Sequence, residues 1–167
     1  MGKVKIVGRV VIVTGPVSTG KSSLCRKMVE QYHKGTCRVV QFQRANPSNS
    51  AMLENMLKAT NKIQEGIQSE SFVVIRTQNM TYESLVSLIV SIRVMGYKDE
   101  ITVIKMNLPE ELHIDFWRRN RKPSKVSLKK LKNERAMFQK IMEKDGFEDA
   151  KATSVEINNP ENIIFEF

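Results

Sequence analysis

The octapeptide Gly15-Pro16-Val17-Ser18-Thr19-Gly20-Lys21-Ser22 constrains this chain more than any other stretch. It fits G-x-x-x-x-G-K-[ST] and stands where that pattern has physical meaning. Before it runs Arg9 to Thr14 (RVVIVT), a β-branched strand; after it residues 21–33 space Leu24, Met28, Val29 and Tyr32 along one helix face. The glycines let the backbone wrap a phosphate, so that successive N–H groups and the helix N-terminus point at it. Lys21 is placed to reach the outer phosphates, and the Ser22 hydroxyl to hold Mg²⁺. Residues from Gly15 through Ser23 are therefore the expected surface for a nucleoside triphosphate. Pro16 is tolerated because its missing N–H is one donor among several. No Asn-Lys-x-Asp stretch that would read guanine occurs, so ATP is expected rather than GTP.

The rest of the chain repeats the strand–helix alternation. Cys37 to Phe42 and Ser71 to Arg76 read as strands, as does Ile101 to Met106. Helices are expected over 51–65, 82–95, from Leu108-Pro109-Glu110-Glu111 onward, and over about 127–144. The tail, Ser154–Ile157 and Ile163–Phe167, reads as one last strand. Such alternation implies an α/β fold, a mostly parallel sheet with helices on both faces. At 167 residues, one domain over 1–167 is expected.

No apolar run approaches the ~20 residues of a membrane span, and Val10–Val13 is too short for a secretory signal. Cys25 and Cys37 are too few for a disulfide framework or a zinc site. The expectation is a reduced, cytoplasmic protein. Its net charge is +9, and Arg118–Lys132 carries eight Lys or Arg and no acid. Residues 143–167 hold seven acids against Lys144 and Lys151. A basic segment of this density fits a polyanionic partner such as nucleic acid. The acidic stretch could fold back onto it.

Several segments together resemble the P-loop kinases of the polynucleotide 5′-hydroxyl kinase family, phage-type. Besides the octapeptide these are Val73-Val74-Ile75-Arg76-Thr77-Gln78-Asn79, the helix ending Met95-Gly96-Tyr97, Leu108-Pro109, Trp117-Arg118-Arg119-Asn120-Arg121, and Val126-Ser127. The resemblance implies a P-loop kinase fold with a basic lid at about 117–127, and ATP and Mg²⁺ as cofactors. It implies transfer of the γ-phosphate to a polynucleotide 5′-hydroxyl end. Arg119 and Asn120 match the start of the lid, with Arg121 or Lys122 as its γ-phosphate contact.

The chain departs from that family at its carboxylates. The family's general-base Asp follows the second strand, where this chain has Ala45 and Asn46. The next strand ends in Arg76, Thr77 and Gln78, with no acid for a metal. Three explanations stand. A carboxylate elsewhere (Glu54, Asp99 or Asp115) serves as base; or positioning and electrostatics suffice without one; or the chain is a nucleotide- and nucleic-acid-binding module with little catalysis. Arg44 and Arg76, at strand ends where ligands sit, are expected to bind the acceptor's phosphate. A nucleoside or nucleotide kinase is a further alternative. His33 and His113 read as surface residues, Trp117 as packing, and Cys25 as buried in the helix after the octapeptide.

Overall fold

The structure, a computed structural model, describes residues 2–78, 80–120, 127–143 and 151–167. A five-stranded parallel sheet forms its centre. It contains β2 (Val10–Thr14), β3 (Cys37–Phe42), β4 (Phe72–Thr77), β5 (Ile101–Met106) and β6 (Ala152–Ile157) in the order β3-β4-β2-β5-β6. A separate parallel pair joins β1 (Gly2–Lys5) to β7 (Ile163–Glu166). The expected α/β architecture is therefore present. The tail supplies two strands rather than one, and the first residues add a strand with a single buried side chain, Val4. Its short, mostly exposed pattern leaves no apolar run to read.

Alternation along β2 divides the core between the two faces of the sheet. Val10 and Ile12 face α2 (Ser50–Gln68), α3 (Tyr82–Val94) and α5 (Leu128–Met142), through Ile63, Leu85, Ile89 and Phe138. Val11 and Val13 face α1 (Lys21–Gln31), α4 (Glu110–Asn120) and the β1–β7 pair, through Leu24, Met28, Phe116 and Phe165. Side chains alternating across a strand with both faces covered explain why β2 is apolar at every position but its last. Asn49 caps α2 and Ser127 caps α5, each side chain accepting from the backbone N–H three residues on.

The strand order fixes where a ligand can sit. From β2 the chain moves outward to β3, returns to β4, then crosses β2 to reach β5. The chain leaves β2 toward one side of the sheet and reaches β5, on the other side, from β4, so a crevice opens above the C-terminal end of β2, the usual ligand position in such sheets. Residues 15–20 fill that position, between β2 and α1. Among the described residues, no helix is long and apolar enough to cross a membrane.

Candidate functional site

The loop after β2 takes its shape from its glycines. A side chain at Gly15 would meet Met106 Cβ at 2.8 Å, so only glycine lets the end of β2 run this close to the end of β5. Gly20 (φ 86°) is the N-cap of α1 and brings no side chain to its orphan N–H groups. The uncapped first turn therefore points its donors and its positive dipole end outward, toward an anion. Thr19 Oγ1 donates to Pro16 O at 2.9 Å and braces the loop from inside.

Lys21 folds back over this loop, its Nζ donating to Gly15 O and, at 2.9 Å, to Pro16 O. Burial pulls its pKa down to about 8, with Glu134 opposing the shift and Arg76 adding to it. The ammonium is thus charged at neutral pH but loses its proton in mild alkali. Cys25, one turn further along α1, is buried, and desolvation pushes its thiol up to about 11. It is a packing residue rather than a nucleophile.

A cavity of about 620 Å³ opens in front of the loop. Val17 to Ser23 and Arg26 form one wall; Gln41 and Arg76 to Gln78, at the strand ends, form a second; Lys130, Glu134 and Met137 on α5 form the third. Four cationic side chains face one carboxylate there, for a net charge of +3. Arg76 reaches the loop because β4 runs parallel to β2, with Arg76 level with Val13. Its Nη1 donates to Ser22 Oγ and its Nη2 to Oε1 of Gln41, its register partner on β3.

Helices α5 and α4 together hold the loop through both backbone groups of one residue. Val17 N–H donates to Glu134 Oε1 at 2.9 Å, and Val17 O lies 2.6 Å from His113 Nε2. Arg135 Nη1 donates to Leu108 O at 2.8 Å and to His113 Nδ1 at 3.1 Å. A guanidinium can only donate, so Nδ1 is the acceptor and the ring proton is on Nε2, donating to Val17 O. His113 is fully buried, and its pKa is lowered, first by desolvation, with Arg135 and Lys21 adding to the shift and the bond to Val17 opposing it. The neutral ring is a strut between α5 and the loop, which corrects the surface position expected for it. An apolar-spaced helix face, with Phe116 and Trp117 also buried, draws it inside.

As arranged in this structure, the residues around Ser22 do not fit the Mg²⁺ expected there. The Ser22 hydroxyl oxygen, which the metal would need, accepts from Arg76. A divalent ion on that oxygen would sit at most ~5 Å from the guanidinium, one N···O plus one O–metal length. At an effective dielectric of about 20 the repulsion is on the order of 7 kcal/mol. Among the described residues no group of three or more His, Cys, Asp or Glu side chains is arranged to hold a metal. Glu134, the carboxylate of this cavity, is engaged by Val17 N–H.

A second recess of about 260 Å³ adjoins the cavity through Gly20 and Ser23, which line both. Leu24, Phe116 and Pro160 give it apolar walls. The Arg119 guanidinium stacks 4.7 Å from the centre of the Phe116 ring and pairs with Glu161 at 3.4 Å.

Of the residues singled out in the sequence, Val17 to Ser23 and Arg76 meet around one cavity, with Gly15 and Pro16 forming the base of the loop. Arg119 lies at the adjoining recess. Arg44 is exposed and donates to Ser87 Oγ at 3.2 Å on α3, away from both. Arg121 and Lys122 lie outside the described residues. Glu54 pairs with Lys58 on the exposed side of α2, and neither Asp99 nor Asp115 lines the cavity. Glu134 and Arg135 were legible in retrospect. They fall three and four residues after buried Leu131 and before buried Phe138, two charges at inward-facing positions of an amphipathic helix.

No protein-family model and no curated protein matches the chain. Among solved structures it aligns with shikimate kinase from Acinetobacter baumannii in complex with shikimate, at 12% identity and TM-score 0.42, over 89% of this chain and 83% of that one. It also aligns with deoxyadenosine kinase from M. mycoides with bound dATP, at 10% identity and TM-score 0.44, over 87% and 90%. At these values the functional reading rests on the residues of the cavity.

Proposed function

We propose that the chain is an ATP-dependent phosphotransferase, acting on the 5′-hydroxyl end of a polynucleotide. The observation that carries the nucleotide half of this reading is the loop after β2. Its uncapped helix start, Lys21 and Arg76 converge on one cavity with a net positive lining. Phosphoryl transfer asks for positioning and for positive charge around the migrating group. Lys21, Arg26, Arg76 and Lys130 supply that charge, and the Val17–Ser23 backbone supplies the cradle. The recess walled by Leu24, Phe116 and Pro160, with the Arg119 plane beside it, has the apolar-plus-cation character that takes a nucleobase.

The acceptor half rests on charge. Arg118 and Arg119 end α4, and Lys129, Lys130 and Lys132 begin α5; of these, Lys130 lines the cavity and Arg119 the adjoining recess. Arg121 and Lys122 of the basic segment are proposed as further phosphate contacts, and Arg44 as a more distant one on the acceptor strand.

A second reading, a nucleotide-binding module without catalysis, is favoured by one observation. None of Glu54, Asp99 and Asp115 lines the cavity, and Glu134 is tied to Val17. Transfer of labelled γ-phosphate from ATP to a 5′-hydroxyl oligonucleotide, beside a panel of nucleosides, separates the readings. Transfer to the oligonucleotide that is lost in Lys21→Ala supports the kinase. Transfer to a nucleoside alone replaces the acceptor, and ATP binding with no transfer to either leaves the binding module.

A further inference from the structure

Arg76 stands where a strand-end carboxylate would otherwise steady a metal, and it does three things there. It donates to the Ser22 hydroxyl oxygen, it is held by Gln41 from the next strand, and it faces the cavity in front of the loop. Resting on the reading that this loop holds a nucleoside triphosphate, we propose that the Arg76 guanidinium takes the place of the divalent cation, so that the chain binds its triphosphate free of metal.

The chemistry of the position supports the substitution. A guanidinium stays charged at every physiological pH and presents a planar fork of donors suited to paired phosphate oxygens. Ser22 Oγ, by accepting from Arg76, keeps its own O–H to donate to a phosphate oxygen. Gln41 fixes the plane of the guanidinium, as oriented ligands fix a metal. The metal-free triphosphate carries two more negative charges than its magnesium complex. A lining of four cations against one carboxylate matches the more anionic form. A divalent ion entering with the ligand would meet Arg76 across a single hydroxyl.

Calorimetric titration of the full chain tests this with two ligands, ATP and inorganic tripolyphosphate, each in EDTA and in excess Mg²⁺. The expected result is ATP binding in EDTA at least as tight as in Mg²⁺. Arg76→Ala should weaken binding about tenfold or more in EDTA and distinctly less in Mg²⁺, so that the preference inverts. Arg76→Lys, which keeps the charge but not the fork, should fall between. Circular dichroism and the thermal midpoint should be unchanged in both variants, since Arg76 is only partly buried at the end of a strand. Wild-type binding about tenfold or more tighter in Mg²⁺ would overturn the proposal, as would an equal effect of Arg76→Ala in both buffers. Tripolyphosphate binding in EDTA without ATP binding would keep the metal-free anion site and remove the nucleotide. Failure of both ligands in both buffers would remove the phosphate site itself and the proposal with it.

Discussion

Lys21 is the residue on which the site's response to pH turns. Its pKa, lowered to about 8 by burial, means that the loop loses a positive charge as pH rises through that value. ATP affinity should therefore be level through neutral pH and fall above about 8, approaching tenfold per pH unit, in titrations across pH 6.5–9.5. Glu134 holds that pKa up, while occupying a Val17 donor that a phosphate would otherwise take. Glu134→Gln, which can still accept from Val17 but carries no charge, should tighten ATP binding at neutral pH by a few-fold, on the order of 1 kcal/mol, and move the alkaline fall to lower pH. His113 works in the other direction. It must be neutral to accept from Arg135 while donating to Val17, and its pKa lies below the ordinary value. Its contribution to stability is complete above the unfolded pKa of about 6.5 and is lost as pH falls through the lowered folded value. His113→Ala should cost about 2–4 kcal/mol in denaturant unfolding and flatten that acid-side loss, because it removes a buried strut and leaves Arg135 only its bond to Leu108 O.

Among the elements, α5 decides whether the loop is held. Glu134 and Arg135 act on Val17 only because Leu131, Phe138 and Ile141 seat the helix in the fold. Phe138→Ala should destabilise the chain by about 3–5 kcal/mol and lower ATP affinity, although Phe138 touches no part of the cavity. Ser127→Ala, at the N-cap of the same helix, should cost only about 1 kcal/mol. The strands of the main sheet and the five helices among the described residues were legible because buried parallel strands are continuous apolar runs and the helices carry one apolar face. β1 was not, since one inward side chain gives no period. β7 merged with β6 because the turn between them, Asn158 to Asn162, breaks a stretch too short to divide by composition. The loop from Gly15 to Ser22 could be read directly, since local backbone demands dictate its residues. The partners of that loop could not, because Arg76, His113 and Glu134 reach it only through tertiary packing, from sequence positions 54 to 117 residues away.

Across the whole molecule the charges sort by position rather than by sign alone. Among the described residues the acids of the chain's last stretch have separate partners. Glu161 pairs with Arg119, whereas Glu156 accepts from Asn107 and Glu166 pairs with Lys3. The strands carrying these acids are part of the fold: β6 closes one edge of the sheet, and Ile157, Ile163 and Phe165 are core. A chain ending before residue 152 should lose its cooperative thermal transition instead of merely gaining affinity for polyanions. The central claim is that the loop after β2, with Lys21 and its surrounding cations, is a nucleoside triphosphate site. Calorimetric titration of ATP into the wild type and Lys21→Ala, in EDTA at neutral pH, tests it most directly. Saturable binding of one ATP per chain, weakened about 10–100-fold by Lys21→Ala with the fold intact, is the predicted result. No binding to the wild type, or equal binding to both proteins, would contradict it.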